Sequence, residues 1–430
     1  QARQEGLAAI EQAYTSASGK LKKLLDSARA EDGWNGITTS QPHGKGTEDE
    51  PYQIGTAQEM AWLAYAVNNQ MESEGYYAVL TADIDLGYCQ WPVIGVLSSN
   101  GQRAYTGTFD GRGHTVSGLY VTALSNGYAG LFGYTSGSTT IKNLTVEGEI
   151  RLEDVSTTAK HIGGIVGEAN AKLERCVSRV RISAAGFGTR DTCAVGGIAG
   201  KLSGAMTDCR FEGSIDITCK RGGAYISGGV GGLAGNAAGG ALTRCVNTGA
   251  VTVDKGTGVG GIAGITSREV TFTQCANTGH ISNDTTAVLS SGEKPKGGTG
   301  GILGVGKSGN VSISLCYNTG TVSGTTIVGG ILGGEAGDYG TSISSGNPSL
   351  TVENCYNAGL LDVGSRTNRI GSLVGFPIAG QYRDGLYVLG SSSRQAKGWF
   401  SSQGECITVL DTLTAAAINR TGDMVDSIAQ

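Results

Sequence analysis

The sequence predicts an all-β chain, a right-handed parallel β-helix with short helical segments at both ends, and three observations carry that prediction. Glycine supplies 73 of the 430 residues, about one in six against roughly one in fourteen in average proteins. A five-residue phrase, GGxxG, returns along the chain. A second phrase, with Cys, Asn and Gly at alternate places, follows the copies at a nearly fixed offset.

Each use of glycine other than a repeating fold can be set aside. Collagen needs Gly at every third place and abundant Pro, whereas the chain has 6 prolines and no such register. A flexible linker would be poor in apolar residues, yet 39% of the chain is apolar. A helical fold would lose about 1 kcal/mol at every interior Gly relative to Ala.

The repeat begins with AGLFG at Ala129. It continues as GGIVG at Gly163, GGIAG at Gly196, GGLAG at Gly231, GGIAG at Gly260 and GGILG at Gly300 and Gly329, then GSLVG at Gly371. Intervals of 29 to 42 residues mark a solenoid unit with variable insertions. The second phrase reads CVSRVRI at Cys176, CRFEGSI at Cys209, CVNTGAV at Cys245, CANTGHI at Cys275, CYNTGTV at Cys316 and CYNAGLL at Cys355, with LTVEGEI at Leu144 in the same place one coil earlier. Its period of two means strand, odd positions inward. Helical repeats of similar length lack that period. Like strands joined by crossovers of about 35 residues stack in parallel, with the right-handed sense that such crossovers take.

Stacking puts Cys176, Cys209, Cys245, Cys275, Cys316 and Cys355 in one inward column, read as free, buried thiols in a narrow slot. In-register parallel side chains rarely supply the near-90° dihedral of a disulfide. Asn247, Asn277, Asn318 and Asn357 fall two residues after four of these cysteines and predict an amide ladder from coil to coil. The glycines of GGxxG are assigned to bends that need positive φ, or to places where a Cβ would strike the next coil. They make no dinucleotide fingerprint, because more strand follows instead of a helix.

Residues 1–32 carry apolar side chains at helical spacing, as do residues 411–430, and both read as short helical segments that cap the stack, with the β-helix itself at 33–410. The chain starts at Gln1 without a secretion signal and reads as a piece of something longer, so further domains of the same polypeptide are expected. No run of 18 apolar residues exists, so no membrane insertion is expected within it.

The passages GTEDEPYQIGTAQEMAWLAYAVN (46–68), YYAVLTADIDLGYCQWPVIG (76–95) and YTGTFDGRGHTVSGLYV (105–121) resemble the opening coils of bacterial cell-surface β-helix proteins. The GG[IL]xG phrases, from about 129 to 375, look like the GLUG repeat found in those proteins and in the non-catalytic region of IgA-specific metallopeptidases. The resemblance implies a secreted or wall-attached bacterial protein, adhesin-like or a spacer, meeting a glycan or a host surface protein.

Charge and motifs narrow the chemistry. A net charge of −5 with only 16% charged residues gives no global field for nucleic acid, and the basic stretch from Lys172 to Arg221 reads as a solvated face. None of His43, His114, His161 and His280 is followed by Glu, so no HExxH zinc site forms. CxxC and GxSxG are also missing, and no metal or cofactor is expected. A glycan-cleaving enzyme on the same fold is the rival reading. It would need acids converging from neighbouring coils, and Asp83, Asp85, Asp110 with His114, Asp208, Glu212 and Asp216 are the candidates. For binding, Tyr317 and Tyr356 fall on the outward side of successive coils, either a flat platform for a sugar or peptide or ordinary cross-strand packing. The insertions 282–296 and 335–349 are long enough to form recognition loops over one side.

Overall fold

A computed structural model of the chain describes residues 34–387 apart from 72–74, 99–100, 156–160, 189–190, 221–223, 285–296, 326, 336–349, 364–369, 372, 377–380 and 384–385. The predicted helical segments at 1–32 and 411–430, the boundary at 410, Cys406 and nearly all of the two insertions lie outside the described residues.

The chain is a parallel β-solenoid. Among the described residues four sheets run along it: one of eleven strands, one of fifteen and two of eight, every one of them parallel, with a small antiparallel pair between Val96–Ser98 and Gly101–Arg103 set apart. A late coil shows the unit. Gly240–Thr243 lies in the eleven-stranded sheet. Val246–Asn247 and Ala250–Val253 lie in the fifteen-stranded sheet, Gly258–Gly260 in the first eight-stranded sheet and Ala263–Thr266 in the second. The register is strict: Asn247 stands beside Asn277, then Asn318, then Asn357.

Glycine works here by being small. None of the glycines in the six full GGxxG copies has a positive φ. A Cβ on the second one, as at Gly232, Gly261 or Gly301, would collide with the matching carbonyl of the next coil and with the side chain of Asn247, Asn277 or Asn318 across the interior. A Cβ on the third, as at Gly235, Gly264 or Gly304, would strike the backbone of Val195, Val230 or Val259 in the facing sheet. The two eight-stranded sheets therefore touch backbone to backbone, far closer than the usual 10 Å. Positive φ falls elsewhere, on the residue just before each ladder position: Asn143, Arg175, Asp208, Arg244, Gln274, Leu315 and Asn354, at φ between 50 and 56. The left-handed turn from one sheet to the next is thus made mostly by residues other than glycine, several of them Asn or Asp, which tolerate it best.

The first coils depart from the repeat. Helix Ala57–Asn68 follows the edge strand Tyr52–Ile54, and Met60, Leu63, Ala64 and Val67 enter the same core as the coils. A capping box starts it, with Glu59 N–H donating to the Thr56 hydroxyl at 3.2 Å and Thr56 N–H donating to the Glu59 carboxylate at 3.0 Å. The passage compared above with the opening coils of other β-helix proteins holds this signal, Thr-x-x-Glu before an apolar run, so a helix stands within the span 33–410 expected to be β-helix.

Candidate functional site

Two interior columns, a polar cluster and an outward tyrosine pair are the places where chemistry could reside. The cysteine column comes first. Among the described residues eight cysteines, including Cys176, Cys209, Cys245, Cys275, Cys316 and Cys355, are buried free thiols. Each thiol of the column lies 3.2–3.7 Å from carbonyl oxygens, such as Cys245 Sγ to Met206 O and Thr243 O, both at 3.4 Å. Burial pushes the Cys209, Cys245 and Cys316 thiols well above their ordinary pKa. A thiol held neutral is a poor nucleophile and a poor metal ligand.

The asparagine column is hydrogen-bonded throughout. Asn247 Nδ2 donates to Asn277 Oδ1 at 2.7 Å, Asn277 to Asn318 at 2.6 Å, and Asn318 to Asn357 at 2.7 Å. The second proton of each amide goes to the carbonyl of the glycine two residues on, at 3.0–3.2 Å for Gly249, Gly279 and Gly359 and 2.9 Å for Gly320. Both donors of Asn247, Asn277 and Asn318 are thus spent inside the stack, together with one donor of Asn357.

Tyr317 and Tyr356 stack on each other, centroids 5.4 Å apart and planes 14° from parallel. Val246 and Ala276 complete a small outer apolar cluster with them. Tyr317 is only 4% exposed, and burial raises both phenols. A pair of exposed rings would have made a platform. What stands there is one buried ring and one half-buried ring, satisfied by each other and by the coil beneath.

The acids nominated for catalysis, Asp216 apart, are held in turns and ion pairs or bonded to a neighbouring coil. Asp85 accepts Gly87 N–H at 2.9 Å, and Asp110 accepts Arg112 N–H at 2.8 Å and Asn143 Nδ2 at 2.9 Å. For Asp110, burial works against the charge, but those bonds and Lys142 outweigh it and the carboxyl is lowered. Asp83 is lowered by Thr115 N–H and by His114, whose Nδ1 is 3.1 Å away. Asp208 grips Arg244 through two bonds of 2.6 and 2.7 Å. Glu212 shares Arg179 with Glu147, at 2.7 and 2.8 Å across three coils. Asp216 is exposed on Ser214–Cys219, between Ser183 and Thr252.

A cluster that sequence reasoning did not single out sits between the two eight-stranded sheets in the first coils. Glu168, 12% exposed, lies 2.8 Å from Lys201 Nζ, accepts the Tyr128 hydroxyl at 3.2 Å and has His161 Nε2 at 3.6 Å. Burial first, then the Glu168 carboxylate, pushes the Tyr128 phenol far up. In later coils the register of Lys201 passes to Asn236, Ile265 and Val305. A Cβ on Gly258 would meet Ile265, and one on Gly298 would meet Val305. The same slot is filled by ion pairs early and by aliphatic packing later. A paired, hydrogen-bonded charge in such a slot is the form in which burial is tolerated. The only trace in the sequence is a Glu and a Lys four places after consecutive GG copies, 33 residues apart.

No family model matches the chain. Halomucin of Haloquadratum walsbyi is 29% identical over 184 residues, 36% of this chain and 2% of that protein. A protein named "Putative Gly-rich membrane protein" from Evansella cellulosilytica is 32% identical over 112 residues, 25% of this chain and 12% of its own length. The chain thus spans a small fraction of the curated relatives it matches. A solved structure titled as a putative immunoglobulin A1 protease from Bacteroides ovatus aligns over 76% of this chain and 87% of its own, with a TM-score of 0.45 and 19% identity.

Proposed function

We propose that the chain is a GLUG-type module of a secreted or cell-surface bacterial protein, an adhesin-like or spacing β-solenoid that meets a glycan or a host surface protein with its outer faces. The observation that carries this reading is where the polar groups are spent. The amides of the interior ladder bond along the stack, and the acids weighed for glycan cleavage serve turns and ion pairs at Asp85, Asp110, Asp208 and Glu212. A retaining or inverting glycosidase needs two carboxyls free to face one bond from opposite sides. A rigid stack with its inner chemistry consumed is suited to presenting a surface. The partial likeness to a very long halomucin and to a glycine-rich membrane protein agrees with a module inside a larger surface chain.

The test is a glycan and extracellular-matrix protein binding screen run beside a reducing-sugar and unsaturated-product assay on the same panel. Binding without turnover is the expected result. Release of product from any glycan would replace this reading with the enzymatic one.

A further inference from the structure

The first coils carry a groove that neither interior ladder touches. It holds about 950 Å³ and is lined by Tyr120, Thr122, Leu124, Asn126, Arg151 and Asp154, from the ends of two successive strands, Thr115–Val121 and Thr145–Leu152, and the turns after them. That volume falls within the range of small-ligand and oligosaccharide sites, about 300–1,000 Å³.

Its aromatic wall is unlike the Tyr317–Tyr356 stack. Tyr120 is half-buried and lines the groove, its ring tilted by 56° to that of Tyr88 of the preceding coil with centroids 6.5 Å apart, where Tyr317 and Tyr356 lie nearly parallel. The polar wall has an exposed amide at Asn126, a guanidinium at Arg151 and a carboxylate at Asp154.

The charges of this wall are cancelled locally. Arg151 pairs with Glu153 at 3.0 Å, and Lys220 approaches Asp154 at 3.3 Å. A polyanion would find no net field here. A pyranose ring offers an apolar C–H face for a tyrosine and a rim of hydroxyls for planar donors and acceptors, which is what the two walls supply. We infer that this groove is a binding site for a neutral, polyhydroxylated glycan segment, with Tyr120 as the ring on which one sugar stacks. The assignment rests on the surface-module reading only for the source of the ligand.

The experiment is calorimetric titration of the full 430-residue chain with cellohexaose, xylohexaose, mannohexaose and chitohexaose, with oligogalacturonate and a Pro-rich peptide as counter-probes. At least one neutral oligosaccharide is expected to bind, and Tyr120→Ala to weaken it tenfold or more. Tyr120→Phe should retain most of the affinity, Asn126→Ala should lose several-fold, and Tyr356→Ala should bind as the parent does. Melting curves of each variant separate lost binding from lost folding. Preference for oligogalacturonate or the peptide, or failure of every neutral probe, overturns the proposal. Glycan binding that survives both Tyr120→Ala and Asn126→Ala also overturns it, while leaving the surface-module reading standing.

Discussion

From Trp34 to Phe132 the interior is packed with aromatic rings, most of them set edge to face, while from Cys209 to Asn357 the same enclosed space holds Cys and Asn in columns. In the early part Trp34 meets Trp91 at 5.5 Å and 68°, Tyr52 meets Trp62 at 5.1 Å and 71°, and Phe109 meets Phe132 at 5.3 Å and 77°. In the late part Asn247 to Asn357 repeat one hydrogen-bonding step three times. The outer face of the fifteen-stranded sheet differs in parallel: Glu147, Arg179 and Glu212 give way to Thr248, Thr278 and Thr319 at the matching places.

The difference teaches how a stack is begun and how it is continued. Rings of different size fit one arrangement only, so the early coils fix the register and, with the helix, close the end. A column of identical amides fits at every step, so it carries the register onward but cannot choose where it starts. In a nearly one-dimensional array each coil depends on its neighbours, and damage should therefore stay regional.

The largest effect is expected at the aromatic end. Trp91 is fully buried and donates its indole N–H to Leu131 O at 3.0 Å. Trp91→Ala should cost about 3–5 kcal/mol, and hydrogen exchange should show the loss in the first coils, with the amides near Asn277 still protected. Equal loss everywhere would mean that the solenoid unfolds as one unit and that the two regions are not separable.

Asn277→Leu breaks the ladder in both directions, leaving a donor on Asn247 and an acceptor on Asn318 unsatisfied. About 1–3 kcal/mol per stranded group predicts a lower melting midpoint with exchange rising in the late coils. An unchanged midpoint would remove the ladder as a source of stability.

The smallest effect is in the pH profile. The Cys209, Cys245 and Cys316 thiols have folded pKa values raised by burial, so the folded chain keeps protons that the unfolded chain releases near pH 8.5. Their contribution is fully present below that pH and is lost as pH rises above it. Melting midpoints should fall from about pH 9 upward, and less steeply in the triple variant Cys209→Ala, Cys245→Ala, Cys316→Ala. Parallel slopes would show that the column does not drive the alkaline loss.

Much of the fold was legible because translation repeats both sequence and geometry. GGxxG and CxNxG recur at nearly fixed offsets, and the period of two put Cys, Asn and Gly on one side of a strand before any coordinate was known. Helix Ala57–Asn68 was legible in principle from Thr56 and Glu59. It escaped because a single helix inside a repeating β-chain gives no second copy to confirm it. The Glu168 cluster and the groove between Tyr120 and Arg151 escaped for a different reason: their members lie about one coil apart along the chain and occur once.

The sequence by itself determined the solenoid, the unit length and the identity of its inner columns, since those follow from local period and the size of a side chain. Only the tertiary structure decided what the columns face. Of the two uses expected for the glycine pairs it kept clearance, from the next coil and from the Asn amides, and it put positive φ on Arg175, Asp208, Arg244 and Leu315. It also buried Tyr317 while leaving Tyr88 in solvent. Those outcomes depend on the distance between backbones of different coils, a quantity that no short stretch of sequence contains.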